Sequence, residues 1–293
     1  MKTVMYLCFG GGADYANELI HAVLSARHTL GRNQHDCRFV VVTDQPAPFA
    51  DLPVTIELTT QEAMAEWRGP YNHKFRTKAV AVREMMKKYG GTLLFCDTDT
   101  YFLGDPHRVF DRVGPGSTVM YGIDGTPAPA LASALDDHEF TMLDGTRWNI
   151  SSDMPVFNAG VIGIHESDRN LIDEVIHLID QICPLIPDYF GTEQFSFSAC
   201  LSLRSHLSES NDVIHHYWLP SARAPFRELL ARTLHDPSAG SYEDRFRALR
   251  RRREWILDRA ETLPRRAYVA LWYAADRIGI LKTLKAVKQR KAS

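Results

Sequence analysis

An alternation of strand and helix signals constrains this chain most. Three short apolar runs, over Thr3–Phe9, Cys37–Asp44 and Thr92–Cys96, are continuous rather than alternating in hydropathy, and stretches with helical periodicity separate them. Continuous runs belong to strands buried on both faces. Strands joined by helices pair in parallel, with the crossovers covering the sheet. The periodicity predicts helices over Asp14–Leu30, His73–Tyr89, Asp168–Ile182 and Thr192–Leu203, and further strands over Leu52–Leu58, Ser117–Tyr121 and Val161–Ile164. Gly10-Gly11-Gly12 and Gly90-Gly91 punctuate the pattern. The expected class is α/β, a mostly parallel sheet flanked by helices, and 293 residues suffice for one large domain with an appendage.

Charge divides the chain unevenly. From Arg245 onward stand 15 Lys and Arg against 4 Asp and Glu, a surplus of +11; with a total of −2, the preceding residues carry −13. This split, and the Pro220–Pro225 punctuation, predict a catalytic body over residues 1–225 and a basic, amphipathic helical region over 226–293. In that region Phe246, Leu249, Ile256, Ala260 and Leu263, then Tyr268, Trp272, Ala275, Leu281, Leu284 and Val287, recur at near-helical spacing among basic residues. Such helices suit an anionic membrane surface, and no recognition motif points to nucleic acid. Five cysteines without a C-x-x-C pair argue against a disulfide framework and for a reducing compartment. The Val4–Phe9 run is too short for a signal sequence, and no stretch approaches the ~20 apolar residues of a membrane span. A cytoplasmic protein, peripheral on the membrane's cytoplasmic face, is the expectation.

The segment GGTLLFCDTDTYFLGDP, residues 90–106, runs a buried strand directly into Asp97 and Asp99. Ligands of open α/β sheets collect at the carboxyl ends of strands. Side chains two apart on an extended chain point the same way, so both carboxylates can face one site. Two like charges held together favour a cation, and hard oxygen ligands suit Mg²⁺ or Mn²⁺. Capping of a turn is the competing role for these residues.

This stretch resembles the D-x-D motif of nucleotide-sugar-dependent glycosyltransferases of the GT-A fold, most of all family 8. Three more segments fit that family in order: MPVFNAGVIGIH (residues 154–165), GTEQFSFSACL (191–201) and DVIHHYW (212–218). The resemblance covers roughly residues 1–220. It implies a metal-dependent transferase acting from a nucleotide-sugar, with a UDP-sugar expected, onto a hydroxyl of a glycan or lipid-linked acceptor, with retention of configuration. It places Gln194 near the anomeric carbon and Glu193 beside the transferred sugar. It also implies that a His at the end of the late strand joins Asp97 and Asp99 as a metal ligand. His215 and His216 are consecutive, so only one can face the site; His215, which ends the apolar Val213-Ile214 run, is the expected ligand and His216 the alternative. The family usually continues with a Lys-Pro-Trp segment, whereas here Tyr217-Trp218-Leu219-Pro220 follows, which leaves phosphate contacts from that region open.

Other residues complete the expected site. Asn158 offers donors and an acceptor to sugar hydroxyls. Arg76 or Lys78, ahead of the D-x-D strand, could neutralise a diphosphate, and Thr98 lies between the two carboxylates. Phe9, Gly10, Asp14 and Tyr15 after the first strand, and Asp44 after the second, are expected around the nucleotide. A dinucleotide-binding fingerprint is incomplete, because Tyr15 stands where G-x-G-x-x-G requires glycine. A sugar-phosphate nucleotidyltransferase would carry a basic glycine-rich loop, and residues 10–15 contain no Arg or Lys. A sugar-nucleotide-binding protein without transferase activity is the non-enzymatic alternative.

Overall fold

Continuous apolar runs become the inner strands of a covered sheet. The computed structural model describes residues 1–136, 138–234 and 239–252. In chain order the elements are β1 (Lys2–Cys8), α1 (Ala13–Leu30), β2 (Cys37–Thr43), β3 (Thr55–Leu58), α2 (Gln61–Trp67), α3 (Arg76–Tyr89), β4 (Thr92–Cys96), β5 (Thr100–Phe102), α4 (His107–Phe110), β6 (Ser117–Met120), β7 (Ile123–Gly125) and α5 (Pro129–Asp136). There follow β8 (Phe140–Thr141), β9 (Arg147–Trp148), β10 (Val156–Phe157), β11 (Val161–His165), α6 (Asn170–Ile182), α7 (Thr192–Arg204), β12 (His206–Glu209), β13 (Ile214–His216), α8 (Pro220–Leu234) and α9 (Tyr242–Leu249).

Seven strands form one sheet in the order β12-β6-β11-β4-β1-β2-β3. All neighbours pair in parallel except β11, which runs antiparallel to both β4 and β6. Side chains alternate between two cores. Val4, Tyr6, Leu94 and Cys96 join the layer with α1, α8 and α9, while Met5, Leu93 and Phe95 join the layer with α3, α6 and α7.

The reversed strand shapes the site end of the sheet. Because Val161 pairs with Cys96, the turn over 158–160 that feeds β11 lies beside the carboxyl end of β4. The Asp97 N–H donates to the Gly160 carbonyl at 2.8 Å, tying the two together.

The expected boundary at residue 225 is corrected. Pro220 opens α8, where its fixed φ suits a first helical residue, and α8 continues past Pro225 to Leu234. Phe226, Leu229, Leu230 and Leu234 of α8, with Phe246 and Leu249 of α9, are buried in the same core as α1. Phe246 and Leu249, expected on a membrane-facing stripe, therefore serve the protein interior. The amphipathic pattern from Ile256 onward lies outside the described residues. Among the described residues, no helix is long and apolar enough to cross a membrane.

Candidate functional site

Beyond Cys96 the chain turns through Asp97 and Asp99 into β5, which pairs antiparallel with β13 so that Thr100 lies opposite His216 and Tyr101 opposite His215. That pairing decides which histidine faces the carboxylates. Ligand atoms of Asp97, Asp99 and His216 all lie within 4.8 Å of one another, a group that can hold a metal ion. His215 is corrected: it points the other way, its ring 5.1 Å from that of Tyr101 and 6.3 Å from that of Tyr217. Alternation along β13 imposes the choice, and the register with β5 sets its phase.

Hydrogen bonds around His216 set its tautomer. The Asn158 amide donates through Nδ2 to Asp124 Oδ2 at 3.4 Å, and its Oδ1 accepts from the Gly160 N–H at 2.9 Å. The same Oδ1 lies 2.9 Å from His216 Nδ1, so Nδ1 carries the proton. In the neutral ring Nε2 then turns a lone pair toward Asp99 Oδ1, 3.2 Å away. Two acceptors facing each other require a proton or a cation between them. A fixed imidazole tautomer with its second nitrogen aimed at carboxylates is the arrangement of a metal ligand and its support. Gly160 makes room for it, since a Cβ there would overlap the His216 ring.

Each carboxylate already meets a cation. The Lys78 ammonium donates to Asp97 Oδ2 at 3.2 Å and to the Ala159 carbonyl at 3.0 Å, and lies 3.3 Å from Glu193 Oε1. Burial works against the Lys78 charge, but Asp97 and Glu193 outweigh it and raise its pKa. Burial pushes the Glu193 carboxyl up to about 7; Lys78 opposes the rise and Asp97 adds to it. Burial also opposes the Asp99 charge, yet His216 and Arg223 hold its carboxyl below the usual carboxylate range. Arg223 Nη1 stands 2.8 Å from Asp99 Oδ2.

Arg223 is set in turn by Glu18, a fully buried carboxylate on α1. Glu18 accepts paired hydrogen bonds from Arg223 and from Arg227, and a longer one, 3.3 Å, from Thr98. Both guanidinium groups also lie over the Tyr15 ring, at 5.3 and 4.7 Å. Within this linked group four carboxylates, Asp97, Asp99, Glu193 and Glu18, meet three cations, Lys78, Arg223 and Arg227.

Asp97, Asp99, His216, Lys78, Glu193 and Arg223 line a cavity of about 660 Å³. Of the residues singled out in the sequence, Phe9, Gly10, Tyr15, Thr98, Asn158 and Gln194 also line it. Gln194 Nε2 donates to Asp124 at 3.2 Å, and its Oε1 accepts from the Ala159 N–H at 3.4 Å. Besides His215, three expected residues are not in the lining. Asp44 stands behind it, accepting from the Gly10 N–H and from Gln61. Asp14 is largely exposed, 3.9 Å from Arg227. Arg76 turns away to Asp180, through bonds of 2.8 and 2.9 Å, and to the Trp67 carbonyl.

Glu18, Asp124 and Arg223 were not foreseen. A glutamate or arginine on an amphipathic helix reads as solvated, and only the packing of α8 on α1 buries this pair. Asp124 is delivered by the pairing of β7 with β10, two strands too short to leave a periodic signal. No protein-family model matches this chain, and no curated protein matches it. Its chemistry therefore carries the functional reading.

Proposed function

We propose that this chain is a metal-dependent glycosyltransferase of the GT-A type, taking a sugar from a nucleotide-sugar, with a UDP-sugar expected from the family 8 resemblance. The observation that carries the reading is the Asp97–Asp99–His216 group in a cavity at the carboxyl ends of β1 and β4, with Glu193 and Gln194 beside it. Two carboxylates and an imidazole of fixed tautomer fit Mn²⁺ or Mg²⁺. Bound there, the ion would neutralise charge gathering on the diphosphate leaving group.

The chain's own residues supply the rest. Arg223 brings a second positive charge to the diphosphate side, in the region where the Lys-Pro-Trp segment is missing. Lys78 holds Asp97 and Glu193 in place. Asn158, Gln194 and Asp124 form a linked polar wall for sugar hydroxyls. Glu193 is enclosed, paired with Lys78 and raised by burial to a pKa of about 7, and Gln194 is an amide, so neither is a strong nucleophile. Retention is then best met by same-face attack. The acceptor oxygen bonds to the anomeric carbon as the bond to the phosphate oxygen breaks, and the hydroxyl proton passes to that leaving phosphate.

The acceptor is a glycan or lipid-linked hydroxyl. The charge surplus after Arg245 supports docking on an anionic surface at the cytoplasmic face of a membrane. The test is a panel of nucleotide-sugars incubated with the full chain, with Mn²⁺ or with EDTA, followed by product analysis. Transfer or donor hydrolysis only with metal supports the reading. Donor binding without turnover would favour a binding protein, and no interaction with any nucleotide-sugar would overturn both.

A further inference from the structure

Among the described residues, two cations on the wall of the same cavity have no acidic partner. Arg68, which ends α2, and Lys74, just ahead of α3, both line it. Among the described residues neither takes part in an ion pair, whereas Lys78 and Arg223 of the same lining each hold carboxylates. Arg68 Nε is shielded from water and has no hydrogen-bond partner. A buried donor left so has lost its water without gaining a partner, and an acceptor brought by a ligand would supply one. The adjoining helix α3 adds to the positive potential: Phe75 gives it no side-chain cap and its first turn holds no acid.

The segment carrying these cations is held in place. Arg76 ties the Trp67 carbonyl to Asp180 of α6, and its guanidinium packs so closely on Gly69 that a Cβ there would approach it to 2.7 Å. Arg76 thus supports the turn that presents Arg68 and Lys74. Beside them Phe75 and Phe190 are 40% and 72% exposed at the cavity rim. Flat apolar faces next to unpaired cations suit a ring that carries an anionic group.

We propose that Arg68 and Lys74 form a subsite for an oxyanion, a phosphate or carboxylate, carried by the acceptor. This rests on the glycosyltransferase reading of the cavity. The donor diphosphate is the other source of the same chemistry. In that reading its partners would be Arg223 and an ion held by Asp97, Asp99 and His216, whereas Arg68 and Lys74 stand beside Phe75 and Phe190.

The test is calorimetric titration of the full chain with inorganic phosphate and with glucose 6-phosphate, glucose serving as the uncharged control, with and without UDP and Mn²⁺. Glucose 6-phosphate should bind in the presence of UDP, and glucose should not. Arg68→Ala and Lys74→Ala should each weaken that binding by about tenfold or more, as loss of a charge-assisted hydrogen bond requires. Arg68→Lys should recover part of it, circular dichroism should be unchanged, and UDP affinity should stay within about twofold. If phosphate displaces UDP, and both alanine variants lose UDP affinity, the cations serve the donor and the proposal is wrong. Absence of phosphate binding in the wild type, or undiminished binding in both variants, also overturns it. Phosphate binding that needs Arg68 in a chain that ignores every nucleotide-sugar would refute the glycosyltransferase reading and leave the oxyanion subsite standing.

Discussion

Glu18 and Arg223, 205 positions apart, meet in a two-pronged ion pair, with Nε–Oε1 at 2.8 Å and Nη2–Oε2 at 2.7 Å. The carboxylate is fully buried, and the arginine it holds reaches on to Asp99. Removing one member of a buried pair leaves the other charge uncompensated, which costs about 3–5 kcal/mol. Arg223 keeps Asp99, so Glu18→Gln should lower the unfolding free energy measured by urea denaturation by up to that amount. An unchanged midpoint would show that the pair contributes nothing to the fold.

Metal affinity separates the two histidines. His216→Ala and Asp97→Ala should each weaken Mn²⁺ binding by about tenfold or more, in line with losses seen when metal ligands or their supports are removed. His215→Ala should leave Mn²⁺ affinity within about twofold while lowering stability by about 1–2 kcal/mol through lost aromatic packing. Electron paramagnetic resonance of free Mn²⁺ reads this directly. Equal losses in the two histidine variants would contradict the register of β5 and β13.

Gly160 is constrained by space. A methyl group there meets the His216 ring and comes within 2.9 Å of Asn158 Oδ1. Gly160→Ala should cost about 1–3 kcal/mol, as overpacking does, and should weaken Mn²⁺ binding by displacing His216. Wild-type thermal stability together with wild-type metal affinity would refute this.

Acid stability should depend on Asp212. Burial opposes its charge, but Arg112 first, and then Arg108, hold its carboxyl below the ordinary value. A carboxyl depressed in the folded state contributes stability above its unfolded pKa, about 4, and loses that contribution as pH falls through the folded value. Asp212→Asn should lower the urea midpoint near pH 6 and flatten its decline below about pH 4. Parallel curves for variant and wild type across that range would rule out the linkage.

The inner strands were legible because burial on both faces leaves an apolar run that needs no partner to be recognised. The edge strand β12, His-Leu-Ser-Glu, carries no such signature, and the reversed direction of β11 is a property of the path between strands rather than of its residues. At the site, Asp97 and Asp99 could be read from their place after β4. The parity of His215 and His216 was also readable, but its phase depended on pairing with β5, more than a hundred positions earlier. Arg76 and Lys78 were left as alternatives, and the structure separates them: Lys78 faces the carboxylates and Arg76 braces a turn. Arg223 lay in the Pro220–Pro225 stretch read as a boundary, and the packing of Phe226 and Leu230 of the same helix into the core holds it beside Glu18.

The reversal of β11 has a consequence for how such a site can change. The chain leaves β6 after Met120 at the same end of the sheet at which it re-enters through Val161, so everything between begins and ends at the cavity. That excursion carries Asp124 and Asn158, yet contributes no strand to the seven-stranded sheet. Insertions, deletions or replacement within its outer part, between Asp124 and Asn158, would remodel one wall of the cavity while Asn158 and Gly160 stayed around His216 and the sheet pairings stayed in register. The scaffold can thus hold the cation-binding chemistry constant and exchange the surface that selects what is brought to it.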